Sequence, residues 1–176
     1  MRRYVCLDTE TTGLSVVSDR LCEVAAIEFD PITFAETRRF HVYLNPERPV
    51  SPGALRVHGL TDDFLAQQPR FGDVAGDLAH FLTHTEVFIH NASFDVRFLN
   101  QAFSNLNLPP LDALDCRPQC TLKLARRMLK LPHHRLDDLC RHFDVSLQRR
   151  TQHGAMIDTE LLLAVLQRMR PSLAGS

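Results

Sequence analysis

A chain of 176 residues with 44% hydrophobic and 23% charged residues has ordinary globular composition, which excludes a largely disordered polypeptide and points to one domain over residues 1–176. Its 20 basic and 21 acidic residues give a net charge of −1, so the chain as a whole is neither a polycation nor a polyanion. Apolar stretches such as Leu161–Leu166 are far too short to cross a bilayer, and the run Tyr4–Leu7 is too short for a signal peptide.

Tyr4–Asp8 is a short apolar run ending in acids and reads as a buried strand. Cys22–Phe29 is a second, closed by Asp30-Pro31. Arg38–Leu44 alternates, with Phe40, Val42 and Leu44 on one face, and reads as a half-buried strand closed by Asn45-Pro46. Short connections between these runs predict a meander. Asp73 is placed to cap a helix running to Leu82, with Val74, Leu78, Phe81 and Leu82 on one face. Glu86–His90 reads as a fourth strand. Ser93 is placed to cap a helix carrying Val96, Leu99 and Phe103, which Pro109-Pro110 stops. Cys120–Lys130 and Leu136–Phe143 read as helices separated by Leu131-Pro132, and Ala155–Met169 as a last helix before Pro171. The order of elements predicts an α/β fold with a mixed sheet on one core.

The charge is unevenly spread. Residues 117–150 carry nine bases against three acids, about +6, and the remainder of the chain about −7. Eighteen of the 20 basic residues are Arg, whose forked guanidinium suits phosphate, although a solvated helical face reads the same way. The five cysteines show no Cys-x-x-Cys pair and no Cys/His set with zinc spacing. They predict a reduced, cytoplasmic protein, with Cys116, Cys120 and Cys140 as buried thiols on apolar faces.

Three motifs place acids at strand ends or helix starts. In Asp8-Thr9-Glu10-Thr11-Thr12-Gly13, positions i and i+2 share a face, so Asp8 and Glu10 project side by side from the first strand. Adjacent carboxylates need a proton or a cation between them, and hard oxygen donors suit Mg²⁺ or Mn²⁺. In His90-Asn91-Ala92-Ser93-Phe94-Asp95 the acid falls in the first turn of a helix, where the dipole favours it and plain capping also accounts for it. In His153-Gly154-Ala155-Met156-Ile157-Asp158 the acid lies on the first turn of the last helix, and the histidine just precedes it.

With these residues the chain resembles the DEDDh (DnaQ-like) 3′–5′ exonucleases, which have the ribonuclease H-like fold, and within them the proofreading epsilon type associated with bacterial DNA polymerase III. Asp8 and Glu10 match the first family motif, Asp95 the second, and His153 with Asp158 the third. Phe40–Pro46, Val57-His58-Gly59-Leu60 and Arg150-Thr151-x-His153-Gly154-Ala155 add to the likeness, which spans roughly residues 3–170. It implies a mixed five-stranded sheet flanked by helices and two divalent cations, Mg²⁺ or Mn²⁺. Asp8 would bridge the ions, Glu10 and Asp158 would complete the site of one, Asp95 would hold the other, and His153 would be the general base. The implied substrate is DNA with a free 3′ end, single-stranded or frayed, the implied product a nucleoside 5′-monophosphate, and the implied partner a DNA polymerase. Thr11, Gly13, Leu14, His58, Asn91 and Phe94 fall where the likeness puts contacts to the terminal nucleotide. His133 and His134 receive no role. The loop Leu14–Arg20 is shorter than in some relatives, and the chain stops at Ser176 without the polymerase-binding tail expected of an epsilon subunit.

Three rival readings stay in view. An exoribonuclease would use the same acids and differ only in contacts near the 2′ position. A non-catalytic nucleic-acid-binding module would use residues 120–143 as a helix-turn-helix. A scaffold with vestigial activity would not need Asp8, Glu10, Asp95, His153 and Asp158 all intact.

Overall fold

The computed structural model describes residues 2–148 and 152–169, so Arg149 and the Arg150-Thr151 portion of the third motif lie outside the described residues. Strands β1 (Arg3–Thr11), β2 (Leu21–Phe29) and β3 (Glu36–Tyr43) form the antiparallel meander. β4 (Thr85–Ile89) pairs parallel to the other side of β1, and β5 (Arg117–Cys120) pairs parallel to β4. The sheet order is β3-β2-β1-β4-β5, which makes β1 the central strand.

Both faces of β1 are covered, and its residue parity decides which layer each side chain meets. Val5 and Leu7 pack into one core with α3 (Phe71–Leu82) and α4 (Ser93–Ser104), through Leu78, Leu82, Phe98, Leu99 and Phe103. Cys6 faces the opposite core, built by α5 (Thr121–Met128), α6 (Leu136–His142) and α7 (Ala155–Met169). Asp8 and Glu10 therefore continue the face of Cys6, toward α7. Thr9 continues the face of Leu7, toward α4. On α7 the buried stripe Leu162, Val165, Leu166 and Met169 runs back at helical spacing to Asp158. Packing of that stripe sets the height of Asp158 over the sheet; Leu162→Ala would cost about 2–5 kcal/mol.

Several local expectations are corrected. Asp73 is not the cap of α3 but its third residue, and its carboxylate accepts from the backbone N–H of Arg70 (2.9 Å). Ser93 is the first residue of α4 and makes no side-chain capping bond. Strand β5 is too short, too exposed and too Pro-interrupted to show a strand pattern; it lies at the sheet edge, where Pro118 is tolerated. Two short helices, α1 (Pro52–His58) and α2 (Asp62–Leu65), occupy a stretch with no strong periodicity. Ser51 and Thr61 cap them by accepting from Ala54 and Phe64 N–H groups. Helices α5 and α6 are not a free helix-turn-helix, because Ala125, Leu139 and Cys140 are buried in the core beneath α7. All five cysteines are free thiols. No described helix is long and apolar enough to cross a membrane.

Candidate active site

The three acidic motifs converge at the end of β1. Glu10, His153 and Asp158 each offer a ligand atom, and these atoms lie within 4.8 Å of one another. Asp158 is buried, and its Oδ2 pairs with His153 Nδ1 at 3.1 Å; the His153 side chain is 48% exposed. Asp8 lies beside this group and lines the same cleft as His153 and Asp158. Its carboxyl is held well above the usual range, first by burial and then by the charges of Asp95, Glu10, Asp158 and Glu23.

Asp95 arrives from the opposite layer. It sits in the first turn of α4, and its Oδ1 accepts from both the backbone N–H (3.1 Å) and the hydroxyl (2.8 Å) of Thr9. Burial raises its carboxyl above the ordinary range, while the Thr9 hydrogen bonds oppose that shift. The central strand is thus gripped from both sides: Glu10 meets α7, and the intervening Thr9 fastens α4. Asn91, at the turn into α4, adopts a left-handed backbone (φ 65°), which asparagine tolerates better than most residues, and it faces the cleft.

The cleft has a volume of about 620 Å³. Asp8, Asp158 and His153 contribute two carboxyls and an imidazole, whereas Arg126 and Arg135 contribute guanidinium groups and His133 and His134 two further imidazoles. Those last four come from the basic segment, so part of it lies at the site rather than on a remote face. His133 and His134, given no role from sequence, border the same cleft because residues 129–135 bring the chain back over it between α5 and α6. His90 stitches this wall together: Nδ1 meets the Thr121 hydroxyl and Nε2 the His134 carbonyl, each at 3.0 Å. Burial holds its imidazole below the usual range.

The segment after β1 is organised by Asp19, which accepts from the Thr12 hydroxyl and the Ser15 N–H, both at 2.9 Å. A Cβ on Gly13 would approach the Asp19 carboxylate to 2.5 Å, so a side chain there would displace the carboxylate that organises this segment. The Thr11 hydroxyl donates to the Gly13 carbonyl (2.6 Å) and is buried. Leu14 is 84% exposed, an apolar side chain held out into solvent beside this segment. Phe94 is half-buried, with its ring 4.8 Å from that of Phe98, and packs on the core. His58 differs from expectation. It is buried, with Nε2 at 3.2 Å from the Thr11 carbonyl, and Nδ1 accepts from the Leu60 N–H at 3.0 Å. Both ring nitrogens are thereby committed to backbone, so its direct effect is to support Thr11 from behind; burial also lowers its pKa.

Glu23 interrupts an apolar strand and belongs to none of the three motifs. It is 1% exposed and lies directly opposite Glu10 on β2. The signal for it was the acid itself, since a carboxylate in a buried strand requires partners.

Residues 5–166 match the model of the RNase_T exonuclease family. The chain belongs to that family. It is 40% identical over 167 residues to the DNA polymerase III subunit epsilon of Buchnera aphidicola subsp. Schizaphis graminum, covering 92% of this chain and 71% of that protein. Among solved structures, exonuclease X in complex with 5′ overhanging duplex DNA superposes with a TM-score of 0.74 and 26% identity, over 98% of this chain and 94% of its own. The zinc-bound form of Escherichia coli exonuclease I with single-stranded DNA gives a TM-score of 0.84 at 20% identity, over 99% of this chain but only 41% of that one. That last likeness speaks for the ribonuclease H-like fold alone. The family match makes this chain an exonuclease domain, and the five-stranded mixed sheet flanked by helices is the fold of its neighbours.

Proposed function

We propose that residues 1–176 form one exonuclease domain that removes nucleoside 5′-monophosphates from DNA 3′ ends in the presence of Mg²⁺ or Mn²⁺, and that it proofreads for a DNA polymerase in the cytoplasm. The observation that carries this reading is the gathering of Glu10, His153 and Asp158 within 4.8 Å beside Asp8, at the end of a strand tied to Asp95. DNA rather than RNA is favoured by the likeness to an epsilon subunit and to exonuclease X with DNA.

The donor set fits divalent ions. Its oxygens are hard ligands, and the charges that push the Asp8 carboxyl upward are the charges a cation would relieve. Asp8, Glu10 and Asp158 would hold one ion, and Asp8 with Asp95 the other. Once bound, such ions stabilise the attacking and leaving oxygens of an in-line displacement at phosphorus.

The protein's own groups do the rest. With the proton on His153 Nδ1, which meets Asp158 Oδ2 at 3.1 Å, Nε2 is the nitrogen that would take the proton of the attacking water. Thr11 and Gly13 present backbone to the terminal nucleotide, supported from behind by His58. Leu14 packs against the last base, while Asn91 and the edge of Phe94 border the strand's path. Arg126 and Arg135 meet phosphates on the far wall.

The test is a 5′-labelled single strand incubated with Mg²⁺ or Mn²⁺, with chelator, and in a parallel RNA arm. A ladder shortening from the 3′ end, release of 5′-mononucleotides, loss with chelator and slower cutting of RNA are expected. Cleavage from the 5′ end, or cutting that survives chelation, would overturn the proposal.

A further inference from the structure

We infer that Glu23 is a positioning residue for His153 and Asp158, acting as the cap of α7 from another strand. The first N–H groups of a helix have no partner within it, and the usual remedy is a Ser, Thr, Asp or Asn just before the first turn. Here Ala155 is preceded by Gln152-His153-Gly154, which supplies no such side chain. The acceptor comes instead from β2. Glu23 Oε2 accepts from the Ala155 N–H at 2.9 Å, and Oε1 lies 3.4 Å from the Met156 N–H. His41 Nε2, on the neighbouring strand β3, meets the same carboxylate at 2.8 Å. These three contacts satisfy a buried carboxylate that would otherwise be costly.

The geometry gives the cap a second consequence. Glu23 is paired in register with Glu10, so the sheet fixes the spacing between the carboxylate that holds α7 and the carboxylate that faces its first turn. Asp158 lies on that first turn, and His153 sits two residues before the helix, with its own N–H bonded to the Val57 carbonyl (3.1 Å). Releasing Glu23 would let the start of α7 shift relative to Glu10, and His153 and Asp158 would move with it. The inference rests on the nuclease reading above, because it assigns Glu23 a part in the same reaction.

Glu23→Gln is the discriminating variant. Its amide keeps the shape but can offer only one acceptor oxygen, and its NH₂ would face a donor. Three quantities are measured on the full chain: hydrogen exchange at the Ala155 and Met156 amides, Mn²⁺ affinity by calorimetry, and kcat and KM on a labelled single strand. The expectation is faster exchange at both amides, weaker Mn²⁺ binding, and a kcat lower by roughly 10–100-fold at nearly unchanged KM, the scale of a misplaced catalytic group. Faster exchange with wild-type kcat and Mn²⁺ affinity would make Glu23 a plain helix cap and overturn the role. Should Glu23→Gln not fold, Glu23→Asp takes its place, keeping charge and acceptors but one methylene shorter. A kcat loss at unchanged KM then supports the role, and wild-type kcat overturns it. A wild-type chain that releases no nucleotide with either ion would refute the nuclease reading itself, whereas an active wild type with an equally active variant refutes only the positioning role.

Discussion

Neutralising one acid of the cluster should stabilise the metal-free protein, and Glu10→Gln tests this most directly. Glu10 and Asp158 place ligand atoms within 4.8 Å of each other. Two unit charges at that separation repel by about 3 kcal/mol at an effective dielectric of about 20. Glu10 is half-buried and the exposed imidazole of His153 lies beside the pair, so solvent screening reduces the figure. A gain of about 1–2 kcal/mol remains as the working value after such screening. For a chain of this length that corresponds to roughly 2–8 °C in melting temperature. Thermal melts in chelator at pH 8 should therefore place Glu10→Gln above the parent. Added Mg²⁺ or Mn²⁺ should reverse the order, because an ion bound only by the folded form contributes about 2.7 kcal/mol at 100 times its Kd, and the variant has lost one ligand. A variant less stable than the parent in chelator, or one raised by metal as much as the parent, would refute the claim that Glu10 belongs to an electrostatically strained ion site.

Asp8→Asn should show the same strain through pH. The folded chain binds the Asp8 proton more readily than the unfolded chain, so metal-free stability falls as pH rises from the ordinary carboxylate range through the raised value. Asp8→Asn should thus melt higher than the parent at neutral pH and lose that advantage below about pH 4, near the unperturbed carboxylate pKa; its nuclease activity should be lost throughout, and retained activity would end the two-ion reading. Arg126→Ala, assayed by DNA binding between about 50 and 200 mM salt, should reduce the magnitude of the log–log salt slope by about 1, and an unchanged slope would remove Arg126 from the phosphate path.

The legible part of this protein was whatever short-range periodicity controls. Parity along β1 put Asp8 and Glu10 on one face, and the structure turns that face toward α7. Apolar spacing predicted α7 over Ala155–Met169, and the structure places it there. The resemblance supplied the grouping of Asp95 with the other acids; spacing alone left it a helix-start acid. Illegible were features whose partners are distant or weakly patterned. β5 exists because β4 offers it an edge, and its own sequence, Arg117–Cys120, is exposed and nearly devoid of strand signal. His133 and His134 became cleft residues only when α6 packed under α7 and drew residues 129–135 over the site. Glu23 finds its acceptor role 132 residues away, a separation no local pattern encodes.

His153 is where the fold's logic and the chemistry can be separated by a single substitution. Its backbone is fixed by the Val57 carbonyl, and its ring by Asp158, so the residue has both a structural and a chemical reason to be where it is. A histidine that merely ties the start of α7 to Asp158 is replaceable by asparagine, whose amide N–H can donate to the same carboxylate. A general base is not, because the asparagine amide has no lone pair basic enough to take a proton near neutral pH. His153→Asn should therefore fold with a melting temperature close to the parent and bind nucleotide much as before, while its rate falls by roughly 10²–10⁴, the usual worth of a positioned acid–base group. Near-parental turnover in folded His153→Asn would return the residue to a tether and leave the water to be deprotonated by another route.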